Sequence, residues 1–202
     1  MTIVNKSSFS EPFQKFSTWI DKASKKSEII EPTAMCLSTV DENHNPSSRM
    51  ILLKKFDERG FCFFTNLTSR KGRELIKNPN VALCFYWGIL GFQVRIEGKV
   101  EKVSVKEAED YFSSRRRGSQ IGAWASKQSC EMENWQEFED RISKVTEDFE
   151  GQNVPRPPFW SGFRVVPKKI EFWEEGDFRI HKREVYSRLE NNDGWEIKKL
   201  YP

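Results

Sequence analysis

TAMCLSTV (33–40), RMILLKKF (49–56) and GFCFFTN (60–66) are short runs of apolar and β-branched residues separated by the turn-forming DENHNPS (41–47) and DERG (57–60). Length and punctuation of this kind belong to β-strands, and the spacing predicts a three-strand meander. Downstream, TSRKGRELIKN (68–78) reads as a short helix that stops before Pro79. NVALCFYW (80–87) and the alternating GFQVRIEGKVEKV (91–103) return to strand character. Upstream, Phe13, Phe16, Trp19, Ile20 and Ala23 fall on one helical face after Ser10, which is expected to cap the helix.

The second half alternates the same way. SVKE (104–107) has capping-box form and opens a helix through Tyr111 and Phe112 towards an arginine cluster. Met132, Trp135, Phe138, Ile142, Val145 and Phe149 then share one face of a long amphipathic helix, which NVPRPP (153–158) breaks. Strands are expected over FRVVPKKIEFWEE, FRIHKREVYSRLE and WEIKKLY. The pattern predicts a mainly β, α+β architecture: an antiparallel barrel with peripheral helices in a single domain over 1–202. Within it, 1–28 forms an N-terminal helix region, 104–150 a helical insertion and 159–202 the closing strands.

Composition excludes several classes. The 202 residues suit one domain with a real core, and 13% aromatics argue against disorder. No apolar run approaches the ~18 residues a membrane helix needs. The start, MTIVNKSSFSEPF, lacks the basic and apolar segments of a signal peptide, so a cytoplasmic protein is expected. Two histidines and four cysteines, without CxxC or HExxH, leave no metal site to expect. Cys36, Cys62 and Cys84 sit in apolar runs and are expected to pack as free thiols. No GxSxG elbow accompanies either histidine.

The formal charge of +3 conceals an uneven distribution. Residues 131–150 carry eight acids and two bases, whereas 49–73 carry seven bases and two acids. Arg49 and Lys54, five apart in one expected strand, would face opposite sides of the sheet. Ser69, Arg70 and Lys71 open a helix whose free N–H groups already favour an anion. SSRRRGS (113–119) supplies a second cationic cluster. Solvated surface is the bland alternative, but the clusters point to two phosphate sites for small molecules. The small net charge and core-spaced aromatics disfavour nucleic acid. Arg179, His181 and Arg183, spaced by two, would share one face of a regular strand and form an active-site wall.

Together RMILLK (49–54), FFTNLTSRKGREL (63–75), FQVRIEG (92–98), YFSSRRRGSQIGAWASKQS (111–129), FWSGFRVVPKKIEFW (159–173), RIHKR (179–183) and the terminal WEIKKLYP resemble the pyridoxine/pyridoxamine 5′-phosphate oxidases. The resemblance implies an FMN-binding split barrel, working as a homodimer with flavin at the subunit interface. By it, Arg49, Arg70 and Lys71 hold the FMN phosphate, and Met50, Ile51, Leu52, Leu53, Lys54, Phe64 and Thr65 border the flavin. Gln93, Gln128, Ser129, Trp173 and Arg183 add FMN contacts, some across the interface. Lys54, Tyr111, Arg115 and Ser119 grip the substrate phosphate, while Arg179 and His181 line the pyridine ring at the reacting carbon.

The implied chemistry oxidises pyridoxine or pyridoxamine 5′-phosphate to pyridoxal 5′-phosphate. Hydride passes from the 4′ carbon to the flavin, O2 takes the electrons to give H2O2, and the amine also yields ammonia. Four positions depart from the family pattern: Phe92 for arginine, Arg116 for proline, Ser161 for the first glycine of WGG, and Lys182 for aspartate. Two other readings stay open. A phenazine-type flavin oxidase would share the FMN residues but lack the Lys54, Tyr111 and Arg115 set. A non-catalytic flavin or pyridoxal-phosphate carrier would not need Arg179 and His181.

Overall fold

The computed structural model describes residues 6–190 and 194–202, so residues 1–5 of the expected N-terminal region lie outside it. The first half contains β1 (Lys6–Ser7), α1 (Glu11–Ser24), β2 (Ala34–Val40), β3 (Pro46–Leu52), β4 (Lys55–Asp57), β5 (Gly60–Asn66) and α2 (Arg70–Lys77). There follow β6 (Asn80–Trp87), β7 (Phe92–Lys102), α3 (Val105–Ser113), α4 (Arg117–Ala125), α5 (Trp135–Asp148), β8 (Trp160–Glu174), β9 (Lys182–Arg188) and β10 (Trp195–Leu200).

The strands form one curled antiparallel sheet in the order β1-β10-β9-β8-β7-β6-β2-β3, a half-barrel flanked by the helices. β8 is its spine: its first half pairs with β5 and its second with β9, while β7 runs alongside both. The expected meander is corrected at one point. RMILLKKF is two strands, because Leu53 N donates to Thr33 O at 2.9 Å and Lys54 N donates to Cys62 O at 2.9 Å. The chain thus leaves β2 after Leu52 and joins β5 through β4, and β5 continues the sheet onto β8, not β3. Arg49 and Lys54 therefore occupy separate segments and do not face opposite sides of one strand.

The core lies inside the curl. On α1, Phe13, Phe16, Trp19, Ile20 and Ala23 are all buried, as their spacing predicts. Phe16 meets the rings of Phe56, Phe61 and Phe85 edge-on at 4.9–5.0 Å. Burying each large apolar side chain contributes about 1.5–3 kcal/mol, enough to fix α1 across the open mouth of the half-barrel. Ser10 does not cap α1; its backbone is already helical and its side chain makes no cap bond. Three further expectations change. α4 stands between the two expected helices, as a third helix within the expected helical insertion. Met132 precedes α5, which begins at Trp135 behind an Asn134 cap and buries none of its residues fully. The strand expected from Phe178 begins only at Lys182, because Phe178 and Arg179 take left-handed φ values of 55° and 65°. Arg179, His181 and Arg183 accordingly do not lie along one regular strand.

Candidate active site

A cleft of about 570 Å³ opens between β3, β5, α2 and the α3–α4 elbow. Its α2 side is built on Ser69, fully buried, which caps the helix by accepting from Gly72 N at 3.2 Å and donates to Asn66 O at 2.7 Å. Gly72 has to be glycine: a Cβ there would lie 2.4 Å from Leu67 O and 2.6 Å from Asn66 O. This close approach presents Lys71 to the cleft. Lys71 Nζ and Thr65 Oγ1 both donate to Gln128 Oε1 at 3.2 Å, tying the loop after α4 to α2 and β5. Burial, and then the neighbouring Arg49 guanidinium, push the Lys71 ammonium below its ordinary range, with Glu74 opposing. Two cations converging in a partly dry cleft form a site for an anion.

Glu74, only 6% exposed, lies behind these cations. Its Oε1 accepts from Arg70 Nε at 2.8 Å, and its Oε2 from Thr39 Oγ1 at 2.5 Å, Ser47 Oγ at 2.9 Å and Arg49 Nη2 at 3.2 Å. Burial alone would raise the carboxyl, but the hydrogen bonds from Thr39, Arg70, Ser47 and Arg49 outweigh it and hold it below the usual range.

The elbow supplies the other side. The capping box at Ser104 forms as the sequence predicts, with Glu107 also 2.6 Å from Arg164 Nη2, which anchors α3 to β8. The buried Gln120 of α4 donates to Phe112 O at 3.0 Å, closing the end of α3 and fixing the turn between the helices. Tyr111 then stacks on Phe64 at 4.1 Å. The Arg115 guanidinium sits 5.0 Å from the Trp160 ring and 5.7 Å from Phe112. Burial pushes Arg115 below its ordinary range, and its buried Nη1 has no hydrogen-bond partner. Gly162 admits the Phe64 ring, since a Cβ there would lie 2.7 Å from two of its carbons.

Thus Arg49, Met50, Ile51, Leu52, Lys54, Phe64, Thr65, Lys71 and Gln128 line one cleft with Tyr111, Arg115 and Ser119. Leu53 does not; its side chain is 3% exposed in the core. Arg70 does not line the cleft; its side chain is largely exposed and is bound to Glu74. Ser129 borders an adjoining cavity of about 220 Å³. The remaining residues form a second group. Gln93, Trp173 and Arg183 are register partners across β7, β8 and β9, so they project from one face. The His181 ring is 4.5 Å from that of Trp173, and its Nδ1 accepts from Gly176 N at 3.3 Å, which places the proton of the neutral ring on Nε2. Buried Glu171 fixes Arg183, accepting from its Nε and Nη2 at 2.8 Å. Arg179 is exposed on the left-handed loop beside them.

Family models match in two blocks: pyridoxamine 5′-phosphate oxidase over residues 22–148 and the pyridoxine 5′-phosphate oxidase C-terminal dimerisation region over 160–202. A pyridoxine/pyridoxamine 5′-phosphate oxidase of Myxococcus xanthus is 50% identical over 95% of this chain and 92% of its own, and one of Gluconobacter oxydans 50% over 95% and 94%. The chain belongs to the pyridoxine/pyridoxamine 5′-phosphate oxidase family. It is therefore an oxidoreductase, on the split-barrel fold. PhzG from Burkholderia lata, crystallised with tetrahydrophenazine-1-carboxylic acid, superposes with a TM-score of 0.88 at 30% identity, covering 95% of this chain and 92% of that one. A pyridoxamine 5′-phosphate oxidase-related, FMN-binding protein of Nostoc punctiforme superposes at 0.75 with 16% identity, covering 95% and 98%, a likeness of fold.

Two departures from the oxidase family pattern have structural reasons here. Phe92 stacks on Trp19 at 4.1 Å, joining α1 to β7. Lys182 is 3.3 Å from Glu174, so the charge it adds is partly matched. Glu74, Gln120 and Glu171 are the supporting residues that motif reading overlooks. For Glu74 there was a signal: its i,i+4 spacing from Arg70, one residue past the basic window counted over 49–73.

Proposed function

We propose that this oxidase converts pyridoxine 5′-phosphate and pyridoxamine 5′-phosphate to pyridoxal 5′-phosphate, using FMN as cofactor and O2 as electron acceptor, with H2O2 as product. The observation that carries the reading is Arg115, whose half-buried guanidinium lines the cleft that also holds Lys71 and Arg49 and whose buried Nη1 has no hydrogen-bond partner. A buried cation without a partner is costly unless a ligand supplies the anion. Two separate cationic groups in one cleft suit two phosphates, one of the cofactor and one of the substrate.

The residues fit FMN. Lys71, Arg49 and Arg70 would hold its phosphate, and Met50, Ile51, Leu52, Phe64 and Thr65 would flank its ring. When bound, FMN supplies the two-electron acceptance that no side chain here can provide. Lys54, Tyr111, Arg115 and Ser119 anchor the substrate by its phosphate, so its ring is held in one orientation. Phe64, Tyr111 and Trp160 form an apolar wall that keeps water from that end of the cleft. Arg179 and His181 are the catalytic residues of the proposal, His181 orienting the ring from Nε2.

The second group of residues asks for a second copy. Trp173, the β8 partner of Arg183, lies twelve residues along that strand from Ser161, the partner of Thr65 in the cleft, about 40 Å at ~3.3 Å per residue, too far for Arg183 and the cleft to share one flavin within a chain. Met50 and Tyr86 lie on the same outward sheet face, 65% and 64% exposed. A two-fold homodimer through this face would bring Gln93, Trp173 and Arg183 of one copy to the cleft of the other.

Purified protein should be yellow, and its flavin should bleach anaerobically on adding pyridoxine 5′-phosphate. Colourless protein that takes up no FMN overturns the cofactor. Flavin that stays oxidised points to a carrier, and bleaching by a reduced phenazine carboxylate alone points to the phenazine-type reading. The 50% identity to the named oxidases, against 30% to PhzG, supports the vitamin B6 substrates.

A further inference from the structure

We infer that Glu74 is a positioning residue for the flavin phosphate: a buried carboxylate that sets the aim of Arg49 and Arg70 and the net charge they present. The inference rests on the FMN reading above. A carboxylate beside a phosphate site is at first sight a mistake, because like charges repel. Its hydrogen bonds explain it. Arg49 and Arg70 come from different elements, β3 and α2, and among the described residues Glu74 is the one side chain that bonds both, through a different oxygen to each. Ser47 and Thr39 complete the arrangement: Arg49 Nη2 donates to Ser47 Oγ at 2.6 Å and Nη1 to Thr39 Oγ1 at 2.5 Å, and both hydroxyls donate on to Glu74. Each guanidinium is thereby fixed by its rear edge.

The charge works in the same direction. Arg49, Arg70 and Lys71 carry three positive charges, and Glu74 reduces the group to two, matching a phosphomonoester of about −1.5 to −2 at neutral pH. Without Glu74, the Arg49 guanidinium and the Lys71 ammonium would face one another in the cleft, with the more exposed Arg70 beside them, whenever the flavin is absent. The repulsion already acting between Arg49 and Lys71 would then go unopposed.

Glu74→Gln tests this. Glutamine has one carbonyl oxygen, so whichever way its amide lies, an NH2 group faces either Arg70 Nε or the Arg49–Ser47–Thr39 side. FMN and riboflavin, which lacks the phosphate, are titrated separately into flavin-free protein and followed by flavin fluorescence. The expected result is an FMN dissociation constant raised by about tenfold to a hundredfold, the range of one or two charge-assisted hydrogen bonds, with riboflavin affinity unchanged. Ser47→Ala, on the half-exposed edge of β3, loosens the same network without leaving a charge unpaired. It should move the FMN-to-riboflavin ratio in the same direction by a smaller factor, and keeps the test alive should the glutamine variant fold poorly. Equal weakening of both flavins in both variants, an unchanged ratio, or tighter FMN binding overturns the inference. Wild-type protein that binds neither flavin overturns the FMN reading instead.

Discussion

Replacing Arg115 by methionine should separate binding from stability. The guanidinium is half-buried, its Nη1 has no partner, and it rests 5.0 Å from Trp160 and 5.7 Å from Phe112. Methionine keeps the unbranched stem and the aromatic contact while removing the charge. On the stability side two effects oppose: lost cation–π attraction costs about 0.5–1 kcal/mol per ring, and relief of an unsatisfied buried donor returns about 1–3 kcal/mol. With two rings the balance runs from a loss of about 1 to a gain of about 2 kcal/mol, so Tm should fall by no more than about 4 °C or rise by no more than about 8 °C for a chain of this length. On the binding side nothing compensates. A substrate phosphate loses one or two charge-assisted hydrogen bonds at about 1.5–3 kcal/mol each, so KM for pyridoxine 5′-phosphate should rise at least about tenfold. With the reacting ring still seated by Lys54, Tyr111 and Ser119, kcat at saturation should change far less than KM. Steady-state oxidation in air, beside a thermal melt of the same preparation, measures all three. A KM within about threefold of wild type would place the substrate phosphate elsewhere, and a Tm fall beyond about 8 °C would make Arg115 a structural residue.

Glu107 is held down to about 2 by the Ser104 backbone bond and by Arg164, with burial opposing. A carboxyl depressed in the folded state stabilises above its unfolded value and loses that contribution as pH falls. Glu107→Gln should therefore lower the urea midpoint at pH 7, with the gap to wild type closing between about pH 5 and 2; a gap independent of pH would refute the linkage. Gly162→Ala places a Cβ 2.7 Å from the Phe64 ring, which already packs on both Tyr111 and Trp160. It should cost about 1–3 kcal/mol and raise the substrate KM, and unchanged kinetics would show that Phe64 does not shape the cleft. At substrate well below the wild-type KM, where the raised KM of Arg115→Met leaves that parent nearly silent, mixing it with Arg179→Ala subunits should restore activity to about a quarter of wild type, since random two-fold pairing leaves half the dimers with one intact site. No recovery after mixing would place both residues in a site made by one chain.

The elements that declared themselves in the sequence were those whose signal is local. The α1 face, the Ser104 capping box and the Ser69 helix start depend on neighbours within four residues, and all three stand at the expected places. What was illegible depends on partners far along the chain. The break at Leu53 exists because Thr33 and Cys62 compete for consecutive N–H groups. The left-handed turn at Phe178 and Arg179 has no residue signature, since glycine or asparagine usually marks such a site. The site divided in the same way. Basic clusters announced Arg49, Lys71 and Arg115, whereas Glu171 reads as one acid in an amphipathic strand until its register against Arg183 is known.

β3 ends the sheet with a row of unpaired backbone groups and with Met50 open to solvent. An uncovered edge is adhesive, and the same strand carries Arg49, Met50, Ile51 and Leu52 of the cleft, the proposed flavin wall. If the proposed dimer completes each site, a lone chain is both sticky and inert, with no half-working form between. Below the concentration at which two copies pair, activity should fall with the square of the amount of protein rather than in proportion to it. Flavin gripped by both copies would in turn slow their parting, so a shortage of flavin and a shortage of the enzyme would each deepen the other.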